Sequence, residues 1–190
     1  MQISIILLLL HTMIGGMNVD SHKPAISNNT YYNTCRANAD KLQWITLSEA
    51  AEKMKVVKKP ILIDLYTSWC GWCKVMDKNT YTNPMVIKYI EDNFYPVKLD
   101  AETRETLNWK GKQFVYNADY KVNEYAVEIT GGQLSFPTTV ILPADGSAPQ
   151  AIPGYLKIPD MELILKYFGE GHFGKKPFKE YQQTFTAVWK

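Results

Sequence analysis

The chain has 190 residues, 46% hydrophobic, 21% charged and 13% aromatic, so it can bury a core and is too apolar for a disordered segment. Its formal net charge of +2 is too small to point to a nucleic-acid or polyanion partner. Three cysteines are too few for a disulfide scaffold: two lie in Cys70-Gly71-Trp72-Cys73 and Cys35 stands apart, a usage that suits a reactive pair better than a framework.

Met1 to Leu10 form an apolar run followed by Ile14-Gly15-Gly16, and residues 1–16 read as a signal peptide cleaved near Gly16. No Lys or Arg precedes the run, which is unusual for such a signal. His11 and Thr12 interrupt the apolar stretch, which falls short of a membrane span. Residues 17–40, rich in Asn, Ser and Thr and carrying Pro24, read as a linker. The domain is expected over 41–168, with a terminal extension over 169–190.

Leu42-Gln43-Trp44-Ile45 is a short strand candidate. Thr46-Leu47-Ser48-Glu49 matches a capping box and predicts a helix to about Lys58, closed by Pro60. Ile61 to Tyr66 is a nearly continuous apolar run of the kind a central buried strand needs. A helix is expected from Cys70 to about Asn79, and Asn83-Pro84 supplies a cap and first-turn proline for another through about Asp92. Phe94–Asp100 and Pro137–Leu142 read as strands, and Asp145-Gly146 as a hairpin turn into Gln150-Ala151-Ile152. Pro159 opens a final helix through Phe168, stopped by Gly169. Such an order argues for an α/β fold with a mixed sheet flanked by helices.

A Cys-x-x-Cys at the start of a helix has a direct chemical reading. Backbone N–H groups and the positive helix end favour a thiolate at Cys70, so its pKa falls and it becomes a nucleophile. Cys73, one turn on, can close a disulfide with it or resolve a mixed disulfide formed with a partner. A zinc site is the competing reading, but no second Cys-x-x-Cys supplies the remaining ligands. Recruiting Cys35, His22 or His172 would take coincidence.

The segment Ile61-Leu62-Ile63-Asp64-Leu65-Tyr66-Thr67-Ser68-Trp69-Cys70-Gly71-Trp72-Cys73-Lys74 resembles the active-site segment of thioredoxins. Lys98 in Val97-Lys98-Leu99-Asp100 matches the strand lysine of that family, and Phe136-Pro137-Thr138 its cis-proline loop. Met76 to Tyr81 and the helix after it look similar to exported thioredoxin-like proteins and to periplasmic thioredoxin domains of membrane electron-relay proteins. The resemblance covers about Leu42 to Phe168 and implies a thioredoxin fold with a thiol–disulfide oxidoreductase activity in the periplasm or cell envelope.

It also implies roles by residue. Cys70, Cys73, Asp64 and Pro137 would be catalytic, with Lys98 supporting Asp64. Asp64 would sit in an apolar site, have its pKa raised by desolvation, and take and return the proton of Cys73. A cis peptide before Pro137 would bring Phe136 beside the disulfide, so that Trp69, Gly71, Trp72, Phe136 and Thr138 would form the substrate surface. No metal or cofactor is implied beyond the Cys70–Cys73 disulfide. The partners would be protein dithiols or disulfides, a membrane electron donor among them, with the chain acting as a monomer.

Two departures matter. Gly71-Trp72 stands where thioredoxins usually carry Gly-Pro, and this dipeptide bears on redox potential and hence on the direction of electron flow. The stretch 101–134 is longer than its thioredoxin equivalent: Trp109 to Tyr116 suggests a hairpin around Gly111, and Asp119 to Thr130 the next helix. The aromatic insertion and tail leave a second reading open, a non-catalytic binding module on the same fold.

Overall fold

The computed structural model describes residues 41–190. The expected signal peptide, the linker, His22 and Cys35 lie outside the described residues.

Helix α1 (Leu47–Val56) begins at a complete capping box: Glu49 N donates to Thr46 Oγ1 at 3.2 Å, and Thr46 N donates to Glu49 Oε2 at 2.7 Å. It leads into β1 (Ile61–Tyr66), whose first five residues are all buried. After α2 (Gly71–Asn79) and α3 (Pro84–Asn93) comes β2 (Tyr95–Asp100), parallel to β1. The Asn83 side chain caps α3, accepting from Met85 N at 2.9 Å and Val86 N at 3.2 Å, with Pro84 in the first turn.

The insertion supplies two small hairpins, β3 (Leu107–Trp109) with β4 (Lys112–Phe114) and β5 (Tyr116–Asn117) with β6 (Val122–Asn123). Helix α4 (Glu124–Thr130) follows. Then β7 (Thr138–Leu142) runs antiparallel to β1, and β8 (Gln150–Pro153) antiparallel to β7. Helices α5 (Ile158–Gly169) and α6 (Phe178–Thr184) complete the described chain. The main sheet has the order β2-β1-β7-β8, which is the mixed sheet expected.

Both faces of that sheet are covered, which is why β1 reads as one apolar run rather than an alternating one. On one face Leu62 and Ile141 pack with Met76 of α2, Val86, Ile87 and Ile90 of α3, and Met161 and Leu165 of α5. On the other, Ile61, Ile63, Leu65, Val97 and Val140 pack with Leu47 and Ala50 of α1 and with Tyr125, Ala126 and Ile129 of α4. Among the described residues no helix is long and apolar enough to cross a membrane.

Several expectations change. Leu42–Ile45 contributes only a single parallel bridge, Ile45 to Val97, because Leu42 and Trp44 turn into the core beside α3 instead of continuing the sheet. The helix expected from Asp119 starts only after Asn123: residues 116–123 form the second hairpin, with Lys121 at φ 56°, and the Asn123 side chain caps the helix. The first hairpin does turn at Lys110-Gly111, both at positive φ, as a two-residue turn of that type requires.

Gly169 does not stop α5; it is the last helical residue, and Glu170 is the cap. Its reason is a close approach, since a Cβ there would lie 2.8 Å from the Tyr89 hydroxyl. Nor is α5 the final helix, because α6 follows it and Tyr181 packs on Tyr167 with ring centroids 5.3 Å apart.

The last residues are tied down by a buried charge. Glu162 of α5 is fully buried; its Oε1 pairs with Lys166 Nζ at 2.6 Å, and its Oε2 accepts from Val188 N and Trp189 N, both at 2.8 Å. Trp189 then packs on Tyr89 with centroids 5.3 Å apart. Removing this carboxylate leaves two amides and an ammonium without their acceptor. Glu162→Ala should therefore destabilise the protein by about 3 kcal/mol, read as a lowered urea midpoint. A loss below about 1 kcal/mol would mean that the tail is not held this way.

Candidate active site

The site begins where β1 ends. Thr67, Ser68 and Trp69 turn the chain off the sheet, with Cys70 N donating to Thr67 O at 3.1 Å, and α2 starts immediately after. Cys70 is the residue that caps α2: its Sγ accepts from Cys73 N at 3.1 Å. This places the sulfur of Cys70 at the positive end of a helix, the environment that favours a thiolate once the bond is reduced. Cys70 and Cys73 are joined in a disulfide, and both are nearly buried.

Across from the disulfide, β7 enters through a cis Phe136–Pro137 peptide bond. The Phe136 ring packs edge-on against Trp69, centroids 5.9 Å apart, which brings this loop beside the cysteine pair. Pro137 O accepts from Gly154 N at 2.8 Å, so the loop is pinned to the end of β8. Trp69 and Trp72 are 65% and 62% exposed and flank the disulfide as open aromatic surface. Each is braced: Trp69 Nε1 donates to Glu102 Oε1 at 2.9 Å, and Trp72 stacks on Tyr155 at 5.7 Å. Thr138 is different from its neighbours. Its side chain is buried and its hydroxyl donates to Ser135 O at 2.7 Å, so it faces the interior rather than the surface.

Beneath α2 lies a row of polar side chains across the sheet. Strand pairing sets Lys98 on β2 and Thr139 on β7 on either side of Asp64 on β1. Asp64 is almost fully buried, and its Oδ2 accepts from Lys98 Nζ at 2.9 Å. The same ammonium pairs with Asp77, which follows Cys73 by one helical turn on α2. Lys98 thus links the face of α2 that carries Cys73 to the buried carboxylate. Rather than reaching into open solvent, its ammonium lies over the rings of Trp44 at 5.3 Å and Tyr66 at 5.0 Å.

Burial sets the charge state here. Desolvation pushes the Asp64 pKa up, and the attraction of Lys98 only partly offsets it. For Lys98, burial works against the charge, but the two carboxylates prevail and its pKa rises. Tyr81, wholly buried, is held well above the ordinary phenol value by desolvation and by the nearby Asp64 charge.

Of the residues expected in one site, Cys70 is bonded to Cys73, Lys98 pairs with Asp64, and Pro137 follows the Phe136 ring that packs on Trp69. Asp77, Trp44, Tyr66 and Tyr81 were not singled out as site residues. Of these, only Asp77 had a local signal, its one-turn spacing from Cys73. His172 lies against Tyr181 in the tail, centroids 4.6 Å apart. Among the described residues no three His, Cys, Asp or Glu side chains converge in a way that could hold a metal ion.

Residues 25–156 match the family described as Thioredox_DsbH, protein of unknown function, DUF255. The chain belongs to that family. Uncharacterized protein B0495.5 of Caenorhabditis elegans is 41% identical over 56 residues, which are 30% of this chain and 8% of that protein. The chain therefore spans a small part of that relative's length. A thioredoxin-fold protein from Helicobacter pylori superposes with a TM-score of 0.50 at 18% identity, covering 66% of this chain and 83% of that one. A thioredoxin from Thermus thermophilus gives 0.50 at 16% identity, covering 72% and 99%. The chain thus has the thioredoxin fold, with Cys70 and Cys73 joined in a disulfide.

Folding raises the Asp64 pKa, so its contribution to stability is complete below the unfolded value and is lost as pH rises through the folded one. Each unit of upward shift is worth about 1.4 kcal/mol. Asp64→Asn should therefore be more stable than wild type at about pH 8 and lose that advantage near about pH 4. Urea unfolding across that range checks it, and an asparagine variant less stable at the alkaline end would reverse the assignment.

Proposed function

We propose that this chain is a thiol–disulfide oxidoreductase that exchanges disulfides with protein partners in the cell envelope, as a reductant or an electron relay. The observation that carries the reading is the Cys70–Cys73 disulfide capping α2 beside a cis Phe136–Pro137 loop. One sulfur has a helix end to stabilise its thiolate, and the other has a buried carboxylate within its helix's reach. The backbone around Phe136, beside the exposed Trp69 and Trp72, is where an extended partner segment would pair.

The reaction is a pair of sulfur displacements. In the reducing direction the Cys70 thiolate attacks a partner disulfide, forming a Cys70–partner S–S bond and releasing one partner thiolate. Cys73 then loses its proton to Asp64 and attacks Cys70. The Cys70–partner bond breaks, its electron pair leaves on the partner sulfur, and the Cys70–Cys73 disulfide closes. No cofactor enters: two electrons pass from the dithiol to the partner. Trp69, Trp72 and Phe136 are the side chains proposed to meet substrate, with Gly71 leaving the approach between the cysteines clear. Thr138 acts by holding the loop through Ser135. A monomer suffices for each step, and export is proposed from the apolar run at residues 1–10.

With dithiothreitol present, the protein should accelerate the reduction of insulin disulfides, and Cys70→Ser should reduce that rate to background. Cys73→Ala should retain partners on Cys70 as mixed disulfides. Catalysis undiminished by Cys70→Ser would end this reading.

A further inference from the structure

The end of the sheet away from the disulfide holds a cavity that the exchange chemistry does not use. Its volume is about 480 Å³, within the range of small-molecule sites, and it lies between the first hairpin and the turn joining β7 to β8. Leu142, one of its lining residues, pairs with Ile61 at the start of β1, whereas Cys70 follows the end of that strand. Trp109 and Phe114 line the cavity from the hairpin, Tyr125 from α4, and Pro143 and Pro149 from the turn. Phe114 meets Tyr125 edge-on with centroids 5.0 Å apart, and Trp109 lies 6.3 Å from the same ring. Three clustered rings suit a flat apolar molecule.

The charged and polar side chains of the cavity divide into two sets. Both carboxylates are already engaged: Glu128 Oε2 accepts from Lys112 Nζ at 2.9 Å, and Asp145 Oδ1 accepts from Ser147 N at 2.9 Å. Two donors are not. Lys110 forms no ion pair among the described residues, and the Tyr125 hydroxyl is buried without a hydrogen-bond partner. Burial and the Glu128 charge keep that phenol protonated, so it remains a donor. Lys110 Nζ lies 6.0 Å from the Trp109 ring centroid and 3.9 Å from where a Cβ on Gly146 would stand, so the ammonium reaches from hairpin to turn. Lys110 also sits at φ 50°, where asparagine would serve the turn better than lysine. An idle ammonium and an idle buried O–H beside apolar rings call for an acceptor that carries negative charge.

We propose that this cavity binds an aromatic monocarboxylate, with its ring against Trp109 and Phe114 and its carboxylate on the Lys110 ammonium and the Tyr125 O–H. The ring replaces water over apolar surface, and the carboxylate gives both idle donors a charge-assisted partner. Glu128 and Asp145 do not repel it strongly, because Lys112 neutralises the first and the second is turned to its own loop. Binding is non-covalent and leaves the Cys70–Cys73 disulfide unchanged. The site is built by the insertion and goes beyond the exchange reaction, on which it does not depend.

The test titrates the full chain with 2-naphthoate, indole-3-acetate and the neutral 2-naphthamide, read by calorimetry and by amide chemical shifts. At least one carboxylate should bind saturably, one per chain, and shift the amides of residues 109–112 and 145–147. The neutral amide should bind about tenfold more weakly, since it forfeits the charge-assisted contact. Lys110→Asn, which suits the turn, should weaken carboxylate binding about tenfold, and Lys110→Arg should retain it. Tyr125→Phe removes only an unpaired hydroxyl, so it should weaken binding while leaving the urea midpoint no lower than wild type. Binding by neither carboxylate, or naphthamide binding as tightly as naphthoate, overturns the proposal. So does an affinity unmoved by Lys110→Asn, and this variant decides the matter if Tyr125→Phe does not fold. Shifts confined to Trp69 and Trp72 would place the probe on the surface beside the disulfide and overturn it as well.

Discussion

A single buried carboxylate organises the polar interior of this fold. Asp64 lies in the middle of β1, an inner strand of the sheet, where desolvation outweighs the attraction of its ammonium partner Lys98. A group in that position keeps its proton to a higher pH than a solvated carboxylate does. Its surroundings manage that tension from several elements at once. Lys98 reaches it from β2, Asp77 shares that lysine from α2, and the rings of Trp44 and Tyr66 keep the ammonium from straying into water. Because Asp77 is one turn beyond Cys73, the charge network and the redox helix are mechanically a single unit.

The two sulfurs are treated differently by the same helix. Cys70 stands at its start, where unpaired amides and the helix dipole stabilise negative charge, and its sulfur already accepts a hydrogen bond from Cys73 N. Cys73 is inside the helix and buried. The two sulfurs therefore differ in environment through their position in the fold. The exposed aromatic surface is a separate layer: Trp69 and Trp72, each braced by a neighbour, stand in solvent. The insertion meets that layer at Glu102, which accepts from Trp69 Nε1. Its first hairpin packs Phe114 against Tyr125, and the tip of that hairpin reaches Gly146, at the end of the sheet away from the disulfide.

Elements that carry their own local physics were readable from the sequence. The capping box at Thr46, the Asn83-Pro84 start of α3, the apolar run of β1 and the Lys110-Gly111 turn are each specified by neighbouring residues. What could not be read depends on contacts far along the chain. Leu42 and Trp44 look like a strand until α3 offers their side chains a core. Gly169 resembles a helix stop, yet its role is to let Tyr89 approach. Thr138 falls inside a recognised motif, but the pleat of β7 turns its hydroxyl inward. The Lys98 ammonium could equally have been solvated; only the packing of Trp44 and Tyr66 around it shows why it is not.

The central claim is that the fold makes Cys70 a thiolate near neutral pH. The direct measurement is the rate at which iodoacetamide alkylates Cys70 in the reduced protein as a function of pH. The account predicts a midpoint well below the free-thiol value of about 8.5, with Cys73 remaining protected under the same conditions. A Cys70 midpoint at or above about 8.5 would contradict it.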